Sequence, residues 1–124
     1  MFYDKDLIKN QVETLVNVAS KILFAKNEVV YEASEDSSDP MDDLYVELNN
    51  LIENKEFGDG EDLIFDNFDI SNDRYLILAI DYYHRLNEFE DDVLEDADFE
   101  REEVRDGLKD LIKKCGIPED AMTV

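Results

Sequence analysis

The chain has 124 residues, 44% of them hydrophobic, and 34 acids against 12 bases give it a net charge of −22. That length suits one domain around one core, and no window approaches the roughly 18 apolar residues that span a bilayer. A field of this sign repels phosphate backbones and anionic lipids, which are bound through clustered Lys and Arg, so no direct nucleic-acid or membrane partner is expected. Cys115 stands alone, which rules out an internal disulfide and points to a soluble protein of a reducing cytoplasm. The charge is unevenly spread. Residues 1–30 balance four acids with four lysines, and residues 101–124 are nearly neutral, so residues 31–100 carry a net of −21.

The first predicted helix runs from Asp4 to about Lys26, because Leu7, Ile8, Val12, Leu15, Val16, Ala19, Ile22 and Leu23 recur at the helical period. Its apolar surface is enough to pack within one domain or across a dimer, so monomer and homodimer both stand. The stretch YEASEDSSDP then breaks the pattern, and residues 31–43 are expected to form a mobile acidic loop. Asp39 and Pro40 supply a capping side chain and a first-turn proline for a second helix from about Met41 to Asn54. KEFGDGED is expected to be a turn, with Gly58 and Gly60 free to take positive backbone angles. A third helix from about Glu61 to Asn67 is followed by a fourth, capped at Ser71 or Asn72 and running to about Glu88. It is apolar around most of its circumference and is placed at the centre of the fold. A fifth short helix falls near EDDVLEDA. The last begins after Asp98 and stops at Gly116, where Ile117 reaches back to Ile112 and Pro118 prevents continuation, leaving residues 117–124 as a tail.

The expected architecture is therefore all-α, a single domain over residues 1–124 built from five to six helices packed as antiparallel hairpins. NKEF at 54–57 and LNEF at 86–89 each close one helix and precede another, offset by 32 residues. That is close to the roughly 34-residue period of tetratricopeptide helix pairs, and it suggests similar stacking.

The only histidine, His84, lies three residues after Asp81 and four before Glu88. Arg74, Asp81, His84, Arg85 and Glu88 make one polar stripe at helical spacing, and its plain reading is the wet side of the central helix. The sharper reading is a metal site of Asp81, His84 and Glu88. A helical di-iron centre, however, needs two Glu-x-x-His pairs and two further glutamates. An EF-hand loop starting at Asp69 fails, since Arg74 takes the glycine position and Ile80 the glutamate position. There is no glycine-rich phosphate loop and no G-x-S-x-G. Cys115, four residues after Leu111, belongs with the core rather than with nucleophiles. No catalytic residue and no cofactor is assigned. Tyr75, Tyr82 and Tyr83, near acidic helix faces, are candidates for a contact patch, with core packing as the alternative. The clustered acids Asp91, Asp92, Glu95 and Asp96 are candidate partner-binding residues beside them.

DLIKNQVETL near the start, DYYHRLNEF in the middle and DFEREEVRDGLKDLI near the end resemble a family of uncharacterised proteins of Gram-positive bacteria, a domain-of-unknown-function family. The resemblance implies an all-helical cytoplasmic protein related in architecture to tetratricopeptide-type hairpins, and it carries no catalytic residue. Its YH-x-LN element (Tyr83, His84, Leu86 and Asn87) is expected to serve the turn between helices, with Asn87 as a left-handed cap. Two functional classes follow. One is a non-enzymatic interaction module docking a basic or amphipathic protein segment on an acidic helical surface. The other is a metal-dependent enzyme using His84 with Asp81 and Glu88.

Overall fold

The computed structural model describes residues 2–35 and 39–122. Six helices follow in order among these residues: α1 (Phe2–Phe24), α2 (Pro40–Glu53), α3 (Phe57–Asp66), α4 (Asp73–Asn87), α5 (Asp91–Asp96) and α6 (Arg101–Lys114), with a short 3-10 turn at Glu119–Ala121. The described residues contain no strand, in keeping with the helical periodicity. No helix of the described residues is long and apolar enough to cross a membrane.

Three helix ends follow from local capping chemistry. The Asp39 carboxylate accepts from the Met41 N–H at 2.9 Å with Pro40 behind it, and Asn72 accepts from the Tyr75 N–H at 3.1 Å. At the end of α6, Gly116 takes φ 84, its N–H bonds Lys113 O at 2.9 Å, and the Ile117 N–H bonds Ile112 O at 3.4 Å. This is the paired bonding that a left-handed residue after a helix makes available.

α4 is the central element. Tyr75, Leu76, Leu78, Ala79, Ile80, Tyr82, Tyr83 and Leu86 are all buried, and α4 packs on α1, α2 and α6. α1 presents Val12, Leu15, Val16 and Ala19 to this core and makes its largest contact with α6, from the opposite end of the chain. α2 and α3, joined by residues 54–56, pack on one another. Ile117 and Met122 are buried, so the described part of the tail folds back onto the core; residues 123–124 lie outside the described residues.

The turn expected across KEFGDGED is shorter than its glycines suggest. Helix α3 already begins at Phe57, and the residue with positive φ is Lys55, at 61°. Burying the Phe57 ring draws the first helical turn inward, so Gly58 and Gly60 are helical. Gly60 serves proximity: a Cβ there would stand 2.2 Å from the Tyr82 hydroxyl, which donates to Phe57 O at 2.6 Å.

The 31–43 segment is anchored on both sides of residues 36–38, which lie outside the described residues. Tyr31 is buried and its hydroxyl donates to Asp42 Oδ1 at 2.5 Å, while the Ser34 amide and hydroxyl both donate to the same carboxylate. Arg74 of α4 donates to Tyr31 Oη and Glu32 O, each at 2.7 Å, and pairs with Asp39 and Asp42. Hydrogen bonds from Ser34 first, and then from Tyr31, hold the Asp42 carboxyl down at about 2. Arg74, expected on a wet stripe, is the hub that binds this segment to the central helix.

Candidate functional site

A groove of about 740 Å³ lies between α3 and α6. α3 contributes Glu61, Asp62 and Phe65; α6 contributes Glu103, Asp106 and Asp110 on successive turns, with Lys113 and Lys114 at its C-terminal end. Gly107 forms the floor. A Cβ on that residue would lie 2.0 Å from Glu61 Oε2 and 2.8 Å from the Tyr83 ring, so the missing side chain is what lets the two helices and α4 meet.

In that space Tyr83 donates to Glu61 Oε2 at 2.6 Å. Burial pushes the Glu61 carboxyl up; the Tyr83 bond opposes this, and the like charges of Asp62, Glu103 and Asp110 reinforce it. Glu103 is raised too, by desolvation first and then by Asp98, Glu100 and Asp106. The Tyr83 phenol is pushed far above its ordinary range by burial and by the adjacent Glu61 carboxylate, so it acts as a fixed hydrogen-bond donor. The groove thus holds its acids against their own repulsion. Its lining offers carboxylates, one phenyl ring and two ammonium groups, a set suited to gripping a cation beside apolar atoms.

The residues singled out in the sequence are placed differently. Tyr82 and Tyr83 do not line a contact patch: they are 1% and 0% exposed, because the central helix buries both rings and each hydroxyl finds an internal acceptor. Asp92, Glu95 and Asp96 are exposed on α5, and Asp91 accepts from Arg101 Nε at 2.8 Å. The polar stripe of α4 is not evenly wet either. Asp81 is only 6% exposed, and burial raises its carboxyl pKa against the opposing charge of Arg85. His84 Nε2 lies 3.6 Å from Glu88 Oε1, an i,i+4 contact. Among the described residues no three or more His, Cys, Asp or Glu side chains converge as metal ligands would, so Asp81, His84 and Glu88 do not form a centre. Asn87 does serve the turn after α4, though through its side chain rather than as a left-handed cap. Its amide donates to Lys9 O at 3.1 Å and its Oδ1 accepts from Arg101 at 2.9 Å.

Two features escaped the sequence reading although each left a signal. A glycine inside the strong helix-forming run EREEVRDGLKDLIKK costs about 1 kcal/mol relative to alanine, so Gly107 asks for a packing reason. Arg101 is 4% exposed and also donates to Asn87 O at 2.8 Å and Phe89 O at 2.6 Å. It holds the start of α6, where Glu100 makes no side-chain cap.

No curated protein and no solved structure matches the chain. One family model does, over residues 2–116, which is nearly the whole all-helical domain described above. The chain therefore belongs to the family of unknown function DUF6483.

Proposed function

We propose that the chain is a non-enzymatic interaction module whose α3/α6 groove receives a basic or amphipathic segment of another protein. The observation that carries this reading is Glu61. Its carboxylate is packed on Gly107, bonded to Tyr83 and raised in pKa by burial and by neighbouring acids. A lysine or arginine entering the groove replaces that repulsion with a charge-assisted hydrogen bond, and Phe65 offers its aliphatic stem an apolar wall. The groove is polarised. Lys113 pairs with Glu119 at 3.5 Å and Lys114 lies over Phe68, so the cationic part of the segment belongs at the Glu103 and Asp106 end. A cytoplasmic location and kinship with Gram-positive proteins of tetratricopeptide-type architecture belong to the same proposal. They are supported by the lone Cys115, the sequence resemblance and the short-linked α2/α3 pair.

The test is a pull-down with the tagged full chain from host lysate at about 50 and about 500 mM salt, since exposed charges are screened within ~8–10 Å at physiological ionic strength. Wild type is compared with a groove variant (Asp106→Lys with Asp110→Lys) and an α5 variant (Asp92→Lys, Glu95→Lys and Asp96→Lys). A basic partner that disappears at high salt and on the groove variant, but survives the α5 variant, supports the proposal. Loss on the α5 variant alone moves the docking surface to α5. A partner retained by both variants, or one still bound at about 500 mM salt, refutes an acidic docking surface.

A further inference from the structure

Among the described residues five large apolar side chains stand well exposed, and two of them, Leu7 (56%) and Ile22 (52%), are on α1. At 100° per residue, Leu7, Gln11, Thr14, Val18 and Ile22 fall within about 80° of arc. This stripe runs beside the core-facing side made by Val12, Val16 and Ala19. Gln11, Thr14 and Val18 are half-exposed, and the Thr14 hydroxyl already donates to Asn10 O at 3.0 Å, so it needs no other partner. Among the described residues nothing covers the two ends of the stripe.

The stripe is nearly symmetric about its own midpoint. Leu7 and Ile22 are 15 residues apart, about 22 Å along the axis, and the midpoint falls beside Thr14, with Gln11 and Val18 in matching positions. We propose that α1 is a homodimer face, on which a second copy of this chain packs antiparallel about a twofold axis at Thr14, with Leu7 of each copy against Ile22 of the other. A twofold interface must be self-complementary, and this stripe is.

Charge supports the same occupant. α1 holds three acids and three lysines in a chain at −22, so it is the long face on which two copies approach with least self-repulsion. Val46 and Ile70, also exposed, lie in the acidic middle, where a second copy is repelled. Lys21, exposed, lies about 20° outside this arc, and Asp6, also exposed, lies about 80° outside it on the same side. The twofold brings Lys21 of each copy within about 3 Å, measured along the helix axis, of Asp6 of the other. In the single chain, Lys21 Nζ hydrogen-bonds the neutral Asn27 at 3.0 Å, leaving its charge available for this pairing.

The experiment is sedimentation equilibrium of the full chain from roughly 1 µM to roughly 1 mM, which spans weak association. Wild type is expected to approach twice the monomer mass with rising concentration, and Ile22→Glu to remain monomeric throughout. Lys21→Glu is expected to raise the dissociation constant at least tenfold, and the double exchange Lys21→Glu with Asp6→Lys to restore it. These positions are exposed, so the variants keep the fold, and circular dichroism checks this. A wild type that stays monomeric to the highest concentration overturns the proposal, as does dimerisation indifferent to Ile22→Glu. Failure of the double exchange to recover the wild-type constant overturns the antiparallel pairing.

Discussion

Gly107→Ala tests whether the α3/α6 groove rests on backbone proximity. In an exposed helix interior this change stabilises by about 1 kcal/mol, since alanine costs less conformational entropy. Here the added Cβ would stand 2.0 Å from Glu61 Oε2 and 2.8 Å from Tyr83 Cε1 and Oη. Glu61 ends a flexible side chain and can swing outward, but doing so abandons the 2.6 Å bond from Tyr83. The Tyr83 ring, fully buried, has nowhere to move. Overpacking costs about 1–3 kcal/mol, and a buried hydroxyl left without an acceptor costs about 1–3 kcal/mol more. Set against the propensity gain, the expected net is a loss of about 1–5 kcal/mol, or a fall in Tm of several degrees or more for a domain of this size. Urea denaturation at neutral pH measures it. Gly58→Ala is the control: its Cβ would meet only Phe99 at 4.0 Å, and the variant is expected to be neutral or slightly stabilised. Adding Glu61→Ala to Gly107→Ala removes the first clash but not the second and is expected to recover only part of the loss. If Gly107→Ala matches or exceeds wild-type stability, the close-approach argument is wrong.

Arg101→Met, which keeps the stem and removes every donor, is expected to destabilise by roughly 2–4 kcal/mol in the same assay, because the buried carbonyl of Asn87 and the part-buried one of Phe89 lose their partner. Arg105→Met, whose ion pair with Asp106 is solvated, is expected to change stability by less than about 1 kcal/mol. The carboxyls should leave opposite marks on stability against pH. Glu61 keeps its proton above the ordinary 4.5, so the folded state binds more protons than the unfolded state and stability falls as pH rises through that window. Glu61→Gln, which preserves an acceptor for Tyr83, is expected to flatten that fall and to be more stable than wild type at neutral pH. Asp42, held at about 2, contributes stability that is complete above its ordinary 3.8 and is lost as pH falls toward about 2. Asp42→Asn is expected to flatten the acid limb, and an unchanged limb would refute the role given to the Tyr31, Ser34 and Arg74 network.

Capping joins residues within five positions of one another, which is why Asp39 with Pro40, Asn72, and Gly116 with Ile117 could be recognised from the chain alone. The central placement of α4 was legible for a related reason, since a helix apolar all round has to be enclosed. What escaped depends on partners far away in sequence. Gly60 and Gly107 are glycines because Tyr82 and Tyr83 stand opposite them, and a glycine does not announce whether it serves a turn or a close approach. Tyr82 and Tyr83 themselves suit a surface or a core equally until the acceptors Phe57 O and Glu61 Oε2 are in place. Arg101 and Arg74 look like ordinary charges in an acidic chain. Their roles appear only when residues 10 to 14 positions away, or 32 to 43, converge on them.

The seam between α1 and α6 has a consequence for how the molecule comes into being. α2 and α3 close a loop of a few residues and need nothing else to begin packing, but α1 waits for a helix that lies most of the chain away. Bonds such as Arg105 to Gln11 at 3.1 Å and Asn87 to Lys9 at 3.1 Å join residues 94 and 78 positions apart. Bringing such distant segments together slows folding, because loop closure must precede the contacts that reward it. During synthesis, Val12, Leu15, Val16 and Ala19 therefore leave the ribosome with their covering helix still unmade, and the nascent chain carries an uncovered apolar face until Leu108 and Leu111 arrive. The high negative charge of the intervening residues 31–100 keeps such incomplete chains apart from one another during that interval.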